Sequence, residues 1–433
     1  MKYLKEFTNK SDYDAAYASG ALPFPHVCKV GEEVIYASEF ESEVDVNLPF
    51  YIEALEDLTV SFSTNTIQYS LDRITWNDLA PNTPTPTVTS GSKIYFKAYK
   101  LSADSSIGTG TFNISGRCNL GGNIASLYLG LDFDKYHKCL ISCPNYYFFK
   151  LFYNQQTIIN ADRLIISFYA LGEKSLEQMF EKCSSLINAP SLLFMMVNYR
   201  SLYRMFANCT SLVNASKIKL EAIGSSGTAA FSYMFSNCTS LVNAPFRIRI
   251  PSGYIGSMCN SMFYYCTSLV DAPEIISNTA LSTSSDYSKT FNYMFYGCTS
   301  LVNVPDLNFE VDITNMSYMF YGCVSLVNAP TLTLAGSGTN SSMYIFSGCS
   351  KLRNVLLAIK LYNNSSINWG YIMDGCPSLQ NVTIINISPY STNLGCISNS
   401  TINVTLHKDP SLTIVDSYVV TNWNIVNNVY EEV

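Results

Sequence analysis

The sequence predicts a mixed α/β chain that is mainly β, with an N-terminal β-sandwich followed by a solenoid of about ten coils with short helical turns. Two observations lead to this fold class. One twelve-residue phrase recurs eight times between residues 179 and 384, and residues 45–116 alternate apolar with polar side chains between turn signals. Repeats of about 20–50 residues are typical of solenoids, in which each coil buries its apolar side chains against its neighbours.

The repeated phrase is MFEKCSSLINAP in its first copy, and the eight copies begin at Met179, Met205, Met234, Met262, Met294, Met319, Ile345 and Ile372. Successive Cys residues are 26, 29, 28, 32, 25, 26 and 27 residues apart, and the extra residues fall in polar loops. A degenerate first coil from Leu151 and a last coil from Thr401 extend the predicted solenoid to 151–406. We expect the tail, 407–433 with Trp423, to cover the final strand edge.

Each position of the repeat carries a structural expectation. Met, Phe and Cys fall three and four residues apart, so they can share one face of a short helical turn. Leu and Ala mark the inward side of a short strand. An Asn at the strand bend is expected to cap backbone groups, namely Asn188, Asn214, Asn243, Asn303, Asn328, Asn354 and Asn381. A Val stripe is predicted to lie in the core or in sheet packing, namely Val213, Val242, Val270, Val302 and Val327.

The N-terminal part divides into three predicted segments. Residues 1–44 read as a docking segment with a small hairpin around Gly31. Residues 45–116 read as an Ig-like β-sandwich with Trp76 as a core aromatic. Residues 117–150 read as a connector. The sandwich is predicted from three segments in which these apolar residues alternate with polar ones, namely Leu58-Val60-Phe62, Ile67-Tyr69-Leu71 and Ile94-Phe96-Ala98.

Composition excludes some partners. Charged residues make up only 14% of the chain, the net charge is −7, and 31 Tyr help to give an uncharged, hydrogen-bonding surface. Without a run of Lys or Arg we expect no nucleic-acid binding, and without a long apolar stretch we expect no membrane insertion. The first residues, MKYLKEFTNKSDYDAAY, do not read as a signal peptide. A protein made in the host cytoplasm and released by lysis, as part of a virus particle, fits that expectation.

The 14 cysteines of the chain are expected to be reduced. Eight of them occupy one position of the repeat, where stacked coils would make a ladder of small buried side chains, namely Cys183, Cys209, Cys238, Cys266, Cys298, Cys323, Cys349 and Cys376. Adjacent coils lie close enough for bridging, but inward-pointing thiols in a stack have poor disulfide geometry. We therefore interpret them as core residues of the repeat.

Copies such as MFYGCTSLVNVP from Met294 resemble the BspA-like leucine-rich repeat of bacterial surface proteins, over about 151–406. That resemblance implies a curved solenoid used for adhesion and for protein or glycan binding. FYIEAL from Phe50 and IQYSLDRITWNDL from Ile67 resemble an N-terminal module of gut Bacteroidales and their phages. FPHVCKVGEEVIYA from Phe24 resembles openings of structural proteins of crAss-like phages. Together these resemblances imply a virion surface protein.

A tyrosine band is the candidate binding surface. Tyr stands two residues before the repeat Phe, or one residue after it, in several copies, namely Tyr233, Tyr293, Tyr318, Tyr344 and Tyr371, and Tyr264, Tyr296 and Tyr321. Tyr combines apolar area with a polar tip and suits glycan or protein recognition. The alternative interpretation is packing between neighbouring coils.

Catalytic and metal sites find little support in the sequence. The three histidines, His26, His137 and His407, lie in separate regions and outside any nucleophile motif. His137 with Cys139 and Cys143 is the one set with soft metal ligands, and its spacing matches no standard zinc site. No Gly-rich phosphate loop follows a strand. We therefore expect no metal, no cofactor and no enzyme activity. The alternative is a glycosidase, which would require carboxylates distant in sequence to converge on one face of the fold.

The leading hypothesis is a non-enzymatic phage virion protein, a head or tail fibre or a decoration subunit. Residues 1–44 would bind other virion proteins, and the solenoid would bind a host cell-surface glycan or protein. The resemblance also suggests a homo-oligomer, with a trimer as one form. The alternatives are a cellular surface or secreted leucine-rich-repeat adhesin, and a capsule-degrading fibre enzyme.

Overall fold

The chain is mainly β with very little helix. A computed structural model describes residues 5–7, 11, 26–30, 33–37, 47–98, 110–130, 133, 141–220, 222, 224–225, 227–250, 252–253, 256–277, 291–307, 316–336, 343–361, 371–386, 403–408 and 423–426. The predicted metal-ligand candidates His137 and Cys139 lie outside these residues. The short helix α1 spans Ser126–Leu129.

The strands of the first part are β1 (Lys5–Phe7), β2 (His26–Val30), β3 (Glu33–Ala37), β4 (Tyr51–Ala54), β5 (Val60–Phe62), β6 (Ile67–Ser70), β7 (Asn77–Leu79), β8 (Lys93–Ala98), β9 (Phe112–Ile114) and β10 (Cys118–Asn123). The strands of the second part are β11 (Ile158–Ala170), β12 (Ser191–Val197), β13 (Gly224–Ser225), β14 (Arg247–Ile250), β15 (Ser252–Gly253), β16 (Glu274–Ser277), β17 (Leu332–Gly336), β18 (Asn354–Leu361), β19 (Asn381–Asn386), β20 (Asn403–Lys408) and β21 (Trp423–Val426). The hairpin predicted around Gly31 is formed by β2 and β3, with β1 beside β2.

One nine-stranded sheet joins the N-terminal part to the first coils. Its order is β15-β13-β12-β11-β10-β4-β8-β6-β7. The coil strands from β10 to β15 pair in parallel, whereas β10 pairs antiparallel with β4. The predicted connector therefore contains a central strand, β10, which bridges the two parts. This happens because its Cys118-Asn-Leu-Gly-Gly-Asn segment buries one side chain after another, as a strand covered on both faces does.

The C-terminal coils form a second, parallel sheet. Its order is β17-β18-β19-β20-β21, and each strand pairs with the next along the chain. Strand β20 lies in the predicted last coil, which begins at Thr401, and β21, which holds Trp423, pairs with it. The tail therefore adds a strand to the solenoid sheet. The count of ten coils and the domain boundaries remain predictions.

One large apolar core runs through both parts, beside a small cluster of Ala125, Leu129 and Phe133. The buried residues of the large core extend from Phe50 to Val382. Its spine is a column of stacked phenylalanine rings with centroids 5.1–5.6 Å apart, namely Phe112, Phe152, Phe180, Phe206, Phe235, Phe263, Phe295, Phe320 and Phe346. Phe112 also contacts Phe96 of β8 at 5.2 Å. The N-terminal part thus closes the core at the first coil, where an isolated repeat would expose its rings to water.

The segments predicted as short helical turns are successions of tight turns. In the coil of Phe235, the Met234 N–H donates to the Phe231 carbonyl three residues back, while the Phe235 N–H donates to Met262 of the next coil. Every fourth residue has a positive φ, as at Ala229, Tyr233 and Asn237 (59°, 57° and 59°). A left-handed residue ends any helix at that point, so the sequence spacing was right about which side chains share a face and wrong about the backbone.

The cysteine ladder has a hydrogen-bonding role. All eight repeat cysteines are free and buried, and each thiol donates to the repeat Phe carbonyl of the preceding coil, for example Cys238 Sγ to Phe206 O at 3.1 Å. That carbonyl also accepts the N–H of Cys209 within its own coil. Burial raises the pKa of the Cys183 and Cys298 thiols to about 12, so they stay protonated donors at neutral pH.

The repeat asparagines bond to one another as well as to the backbone. Asn381 donates to Asn354 and Asn354 donates to Asn328, both at 3.0 Å. A second stretch runs from Asn188 through Asn160 to Asn119 of β10. The expected capping of a backbone group occurs at Asn214, which accepts from the Ser216 N–H. The Asn ladder therefore ties coils together along the solenoid axis.

Two predicted core features lie at the surface. Trp76 is only partly buried, because it follows β6 in an exposed turn where Lys97 Nζ lies 4.0 Å from its ring centroid. In the Val stripe, Val242, Val270 and Val302 are exposed. Each directly follows a buried repeat Leu, and neighbouring residues of an extended backbone point to opposite sides. Valine in this position therefore faces solvent.

Candidate binding surface

The predicted tyrosine band forms two columns of stacked rings. The first column, two residues before the repeat Phe, stacks Tyr293 on Tyr318 at 4.8 Å, Tyr318 on Tyr344 at 4.9 Å and Tyr344 on Tyr371 at 5.1 Å. The interplanar angles are 4°, 13° and 9°. One ring per coil at this spacing follows directly from the parallel stacking of coils.

The second column, one residue after the repeat Phe, contains Tyr264, Tyr296 and Tyr321. Their neighbouring centroids are 4.9 and 4.8 Å apart. The two columns touch, since Tyr318 and Tyr321 lie 5.8 Å apart. The structure thus brings seven of the eight predicted tyrosines onto one surface, which we call the tyrosine columns. Tyr233 lies apart, against Tyr203 at 5.7 Å, because Ser261 occupies the intervening coil.

Stacking also explains why the first column is aromatic. Its members have φ between 57° and 61°, a conformation that costs roughly 1–2 kcal/mol for an L-residue with a side chain. A stacked aromatic pair contributes about 0.5–1.5 kcal/mol beyond its area burial, so the column offsets most of that strain. Packing between coils, the alternative interpretation, is therefore part of what these tyrosines do.

Ring edges and hydroxyl groups are what the columns present to a partner. Because ring faces lie against each other, a ligand meets a row of edges and phenol groups, one per coil. Burial, with the neighbouring phenols of Tyr265, Tyr264 and Tyr321, raises the pKa of Tyr296 to about 12. The phenols of Tyr293 and Tyr344 have raised pKa values for the same reason, loss of solvent first. The columns are therefore neutral hydrogen-bonding arrays at physiological pH.

Next to the second column, the Tyr265 ring leaves space only for a glycine at position 297. Tyr265 projects where later coils have glycine, and a Cβ added to Gly297 would lie 2.7 Å from the Tyr265 ring. Gly322 has the same φ of 70°, and its added Cβ would meet nothing closer than 4.0 Å.

We expect Gly297→Ala to lower the free energy of unfolding by about 1 kcal/mol more than Gly322→Ala, since both introduce left-handed strain but only the first forces the Tyr265 ring to move. Urea unfolding followed by circular dichroism measures both variants. Adding Tyr265→Ala to Gly297→Ala should remove the difference. Equal losses of unfolding free energy in the two single variants would contradict the steric contact between residue 297 and the Tyr265 ring.

The first three coils carry charges at the same positions, which the sequence prediction missed. Backbone hydrogen bonds set the register: Asn154 N–H to Glu181, Lys182 N–H to Ala207 and Asn237 N–H to Tyr264. Tyr153 and Glu181 therefore precede Tyr264 in the second column's position. Lys150, Gln178 and Arg204 likewise have the left-handed conformation that defines the first column's position (φ 59°, 58° and 56°). Aligning the degenerate coil from Leu151 on these positions would have revealed the charges.

Two buried ion pairs connect the charged coils. Arg200 Nη2 lies 2.7 Å from Glu177 Oε1, and Arg204 Nη2 lies 2.7 Å from Glu181 Oε1. Both carboxylates are buried. Loss of solvent raises the pKa of Glu177, against the opposing effect of Arg200. These pairs hold one coil to the next and leave the carboxylates without access to solvent.

Other classes of site are sparse in the part of the chain that the structure covers. Within it, no group of three or more His, Cys, Asp or Glu residues is placed to hold a metal ion. Cys143, the third member of the predicted ligand set, is buried and free. Among the same residues, no helix has the length and apolar content needed to span a membrane.

Parallel coils, a continuous phenylalanine column and a regular, partly exposed band of tyrosines define a repeat solenoid, a class in which stacked coils build an extended binding surface. Residues 201–274 and 274–403 match the BspA type leucine rich repeat region, in six copies. This part of the chain is a BspA-type leucine-rich-repeat region, as the motif predicted, and such repeats suggest a surface or binding protein. Comparison with curated proteins and with solved structures gave no match.

Proposed function

We propose that the protein is a non-enzymatic binding protein whose tyrosine columns hold an extended glycan or peptide of a host-cell surface. The observation that supports this is the regular spacing of 4.8–5.1 Å between stacked tyrosines. Equally spaced phenol groups match a ligand that repeats its own polar groups along a chain. Many weak contacts of this kind add up along an extended partner, and an oligomer such as a trimer would multiply them.

Hydroxyl removal without loss of stacking tests this role. In Tyr293→Phe, Tyr318→Phe, Tyr344→Phe the rings remain, so the columns should stay folded while three hydrogen-bonding groups disappear. We expect cell binding of the purified protein to weaken by at least about tenfold, because each hydrogen bond contributes about 0.5–1.5 kcal/mol. Binding is measured by flow cytometry on candidate host bacteria.

The matched control replaces three tyrosines away from the columns, Tyr69, Tyr128 and Tyr169, with phenylalanine. This control should bind as the wild type does. If the column variant binds with unchanged affinity while the wild type binds cells, the tyrosine columns are packing alone and the proposal is wrong.

For its place of action we propose the surface of a phage virion, as a head or tail fibre or a decoration subunit, with residues 1–44 docked to other virion proteins. Two resemblances support this: residues 24–37 resemble openings of structural proteins of crAss-like phages, and the following module resembles an N-terminal module of gut Bacteroidales and their phages. A cellular or secreted adhesin would use the same solenoid. Mass spectrometry of purified particles separates the two: tens of copies per particle support the virion, and absence from particles favours the adhesin.

A capsule-degrading enzyme is the third candidate. A glycosidase needs two carboxyl groups that face the scissile bond. Glu177 and Glu181, four residues apart in one coil, are buried and each is bound by an arginine, which suits structural ion pairs. Hydrolysis of host capsule that a single carboxylate substitution abolishes would replace our proposal with this one.

A further inference from the structure

We propose that the first three coils form a separate site for an anionic polysaccharide, which we call the basic-aromatic patch. It rests on the proposed function in one respect, that the solenoid binds a surface polymer. Its members are Lys150, Lys174, Lys182, Arg200 and Arg204 with Tyr146, Tyr153, Tyr199 and Tyr203. Lys150 and Arg204 stand at the first column's position and Tyr153 at the second's, and the other members lie beside them. This face of the solenoid therefore changes from basic in the first coils to neutral in the later ones.

Each lysine of the patch is held beside aromatic rings. Lys182 Nζ donates to the Tyr153 hydroxyl at 2.9 Å, and Lys174 Nζ donates to the Tyr146 hydroxyl at 3.2 Å. Lys150 Nζ lies 5.1 Å from the Tyr153 ring centroid. These contacts orient the ammonium groups and leave hydrogens for a ligand, since an ammonium has three donors. Arg200 similarly lies 3.9 Å from the Tyr203 ring centroid.

The carboxylates nearby balance only part of the positive charge, because five cationic side chains stand against Glu173, Glu177 and Glu181. Glu177 and Glu181 are bound by Arg200 and Arg204. Among the residues that the structure covers, Lys150 and Lys182 make no ion pair, and Lys174 approaches only Glu173, at 3.9 Å. In a chain with a net charge of −7, this excess of two positive charges on one face creates a local positive potential. A ligand that carries carboxylate or sulfate groups is electrostatically complementary to this positive potential.

A polysaccharide fits better than an acidic peptide. The phenol groups beside each lysine pair with sugar hydroxyls as readily as with anions, and Tyr146 and Tyr199 are exposed. Tyr203 contacts Tyr233, so the patch leads toward the tyrosine columns, which offer hydroxyl groups without charge. One linear polymer with scattered anionic groups matches both ends of this face. An acidic peptide becomes an outcome of the test.

The test measures binding of the full chain to polygalacturonate, heparin, neutral dextran and poly-glutamate by biolayer interferometry. We expect the wild type to bind polygalacturonate or heparin, to bind them less as salt rises, and to bind dextran and poly-glutamate weakly. Lys150→Gln with Lys182→Gln should weaken polyanion binding by about fivefold to tenfold, the effect of two exposed charge contacts.

The matched control is Lys351→Gln with Arg353→Gln, which removes the same charge from two exposed residues outside the patch. An equal loss in this control would show a general charge effect and overturn the site. So would absence of binding to both polyanions, and stronger binding to poly-glutamate would replace the glycan with an acidic peptide.

Failure of the patch and failure of the tyrosine columns give different results. If the patch variant binds cells and polyanions as the wild type does, while the Tyr→Phe column variant loses cell binding, only the patch inference falls. If the column variant keeps cell binding and the patch variant loses it, the proposed role of the columns falls and the patch stands.

Discussion

Replacing Phe235 with alanine is expected to lower the free energy of unfolding by about 3–5 kcal/mol, the cost of truncating a buried phenylalanine. Phe235 is 0% exposed, and its ring stacks on Phe206 at 5.5 Å and on Phe263 at 5.4 Å. The substitution opens a gap in the column and removes two stacking contacts at once. Because the neighbouring coils are held by the same column, little can move in to fill the space.

Phe246→Ala is the matched control, since the same atoms are removed from a ring that is 76% exposed. It should change stability by less than about 0.5 kcal/mol. Urea unfolding of both variants, followed by tryptophan fluorescence and by circular dichroism, gives the two free energies. A small loss at Phe235, comparable to that at Phe246, would mean that the phenylalanine column does not hold the coils together.

Replacing Arg204 with methionine is the second large effect, with an expected loss of about 3 kcal/mol. Arg204 donates through Nε and Nη2 to Glu181 Oε1, at 3.2 and 2.7 Å, and the Glu181 side chain is 3% exposed. Without the guanidinium the carboxylate stays buried, keeps its hydrogen bond from the Gln178 amide and loses its paired charge. A buried, uncompensated charge costs more than the pair itself contributes.

Two further variants serve as controls for the Arg204→Met prediction. Arg247→Met breaks a pair with Glu274 whose side chains are 34% and 40% exposed, so it should cost at most about 1 kcal/mol. Glu181→Leu combined with Arg204→Met removes both charges and should recover most of the loss. If Arg204→Met proves as mild as Arg247→Met in urea unfolding, Glu181 is not a buried charge that depends on its partner.

The candidate surface was predictable in part. The tyrosine positions were predicted from sequence spacing, and stacking of parallel coils makes that spacing sufficient to align Tyr296 with Tyr321. The backbone reason was wrong, because a helical turn and a left-handed turn can expose the same side chains. The charged coils were missed since Lys150 precedes a degenerate copy, in which Gln155 replaces the repeat Cys, and Lys182 stands in the first regular copy at a position where later copies have Asn, Tyr or Gly.

The repeat phrase by itself determined the solenoid, the buried Met, Phe, Leu and Cys positions, and the period at which they stack, because each coil buries its recurrent apolar side chains against those of its neighbours. Only the tertiary structure decided how the chain closes its ends and uses its surface. Strand β10 pairs with both β4 and β11, and hydrogen bonds between distant strands leave no periodic mark in the sequence. Exposure of Val242 and Trp76, and burial of Glu181, likewise depend on which neighbours each side chain meets.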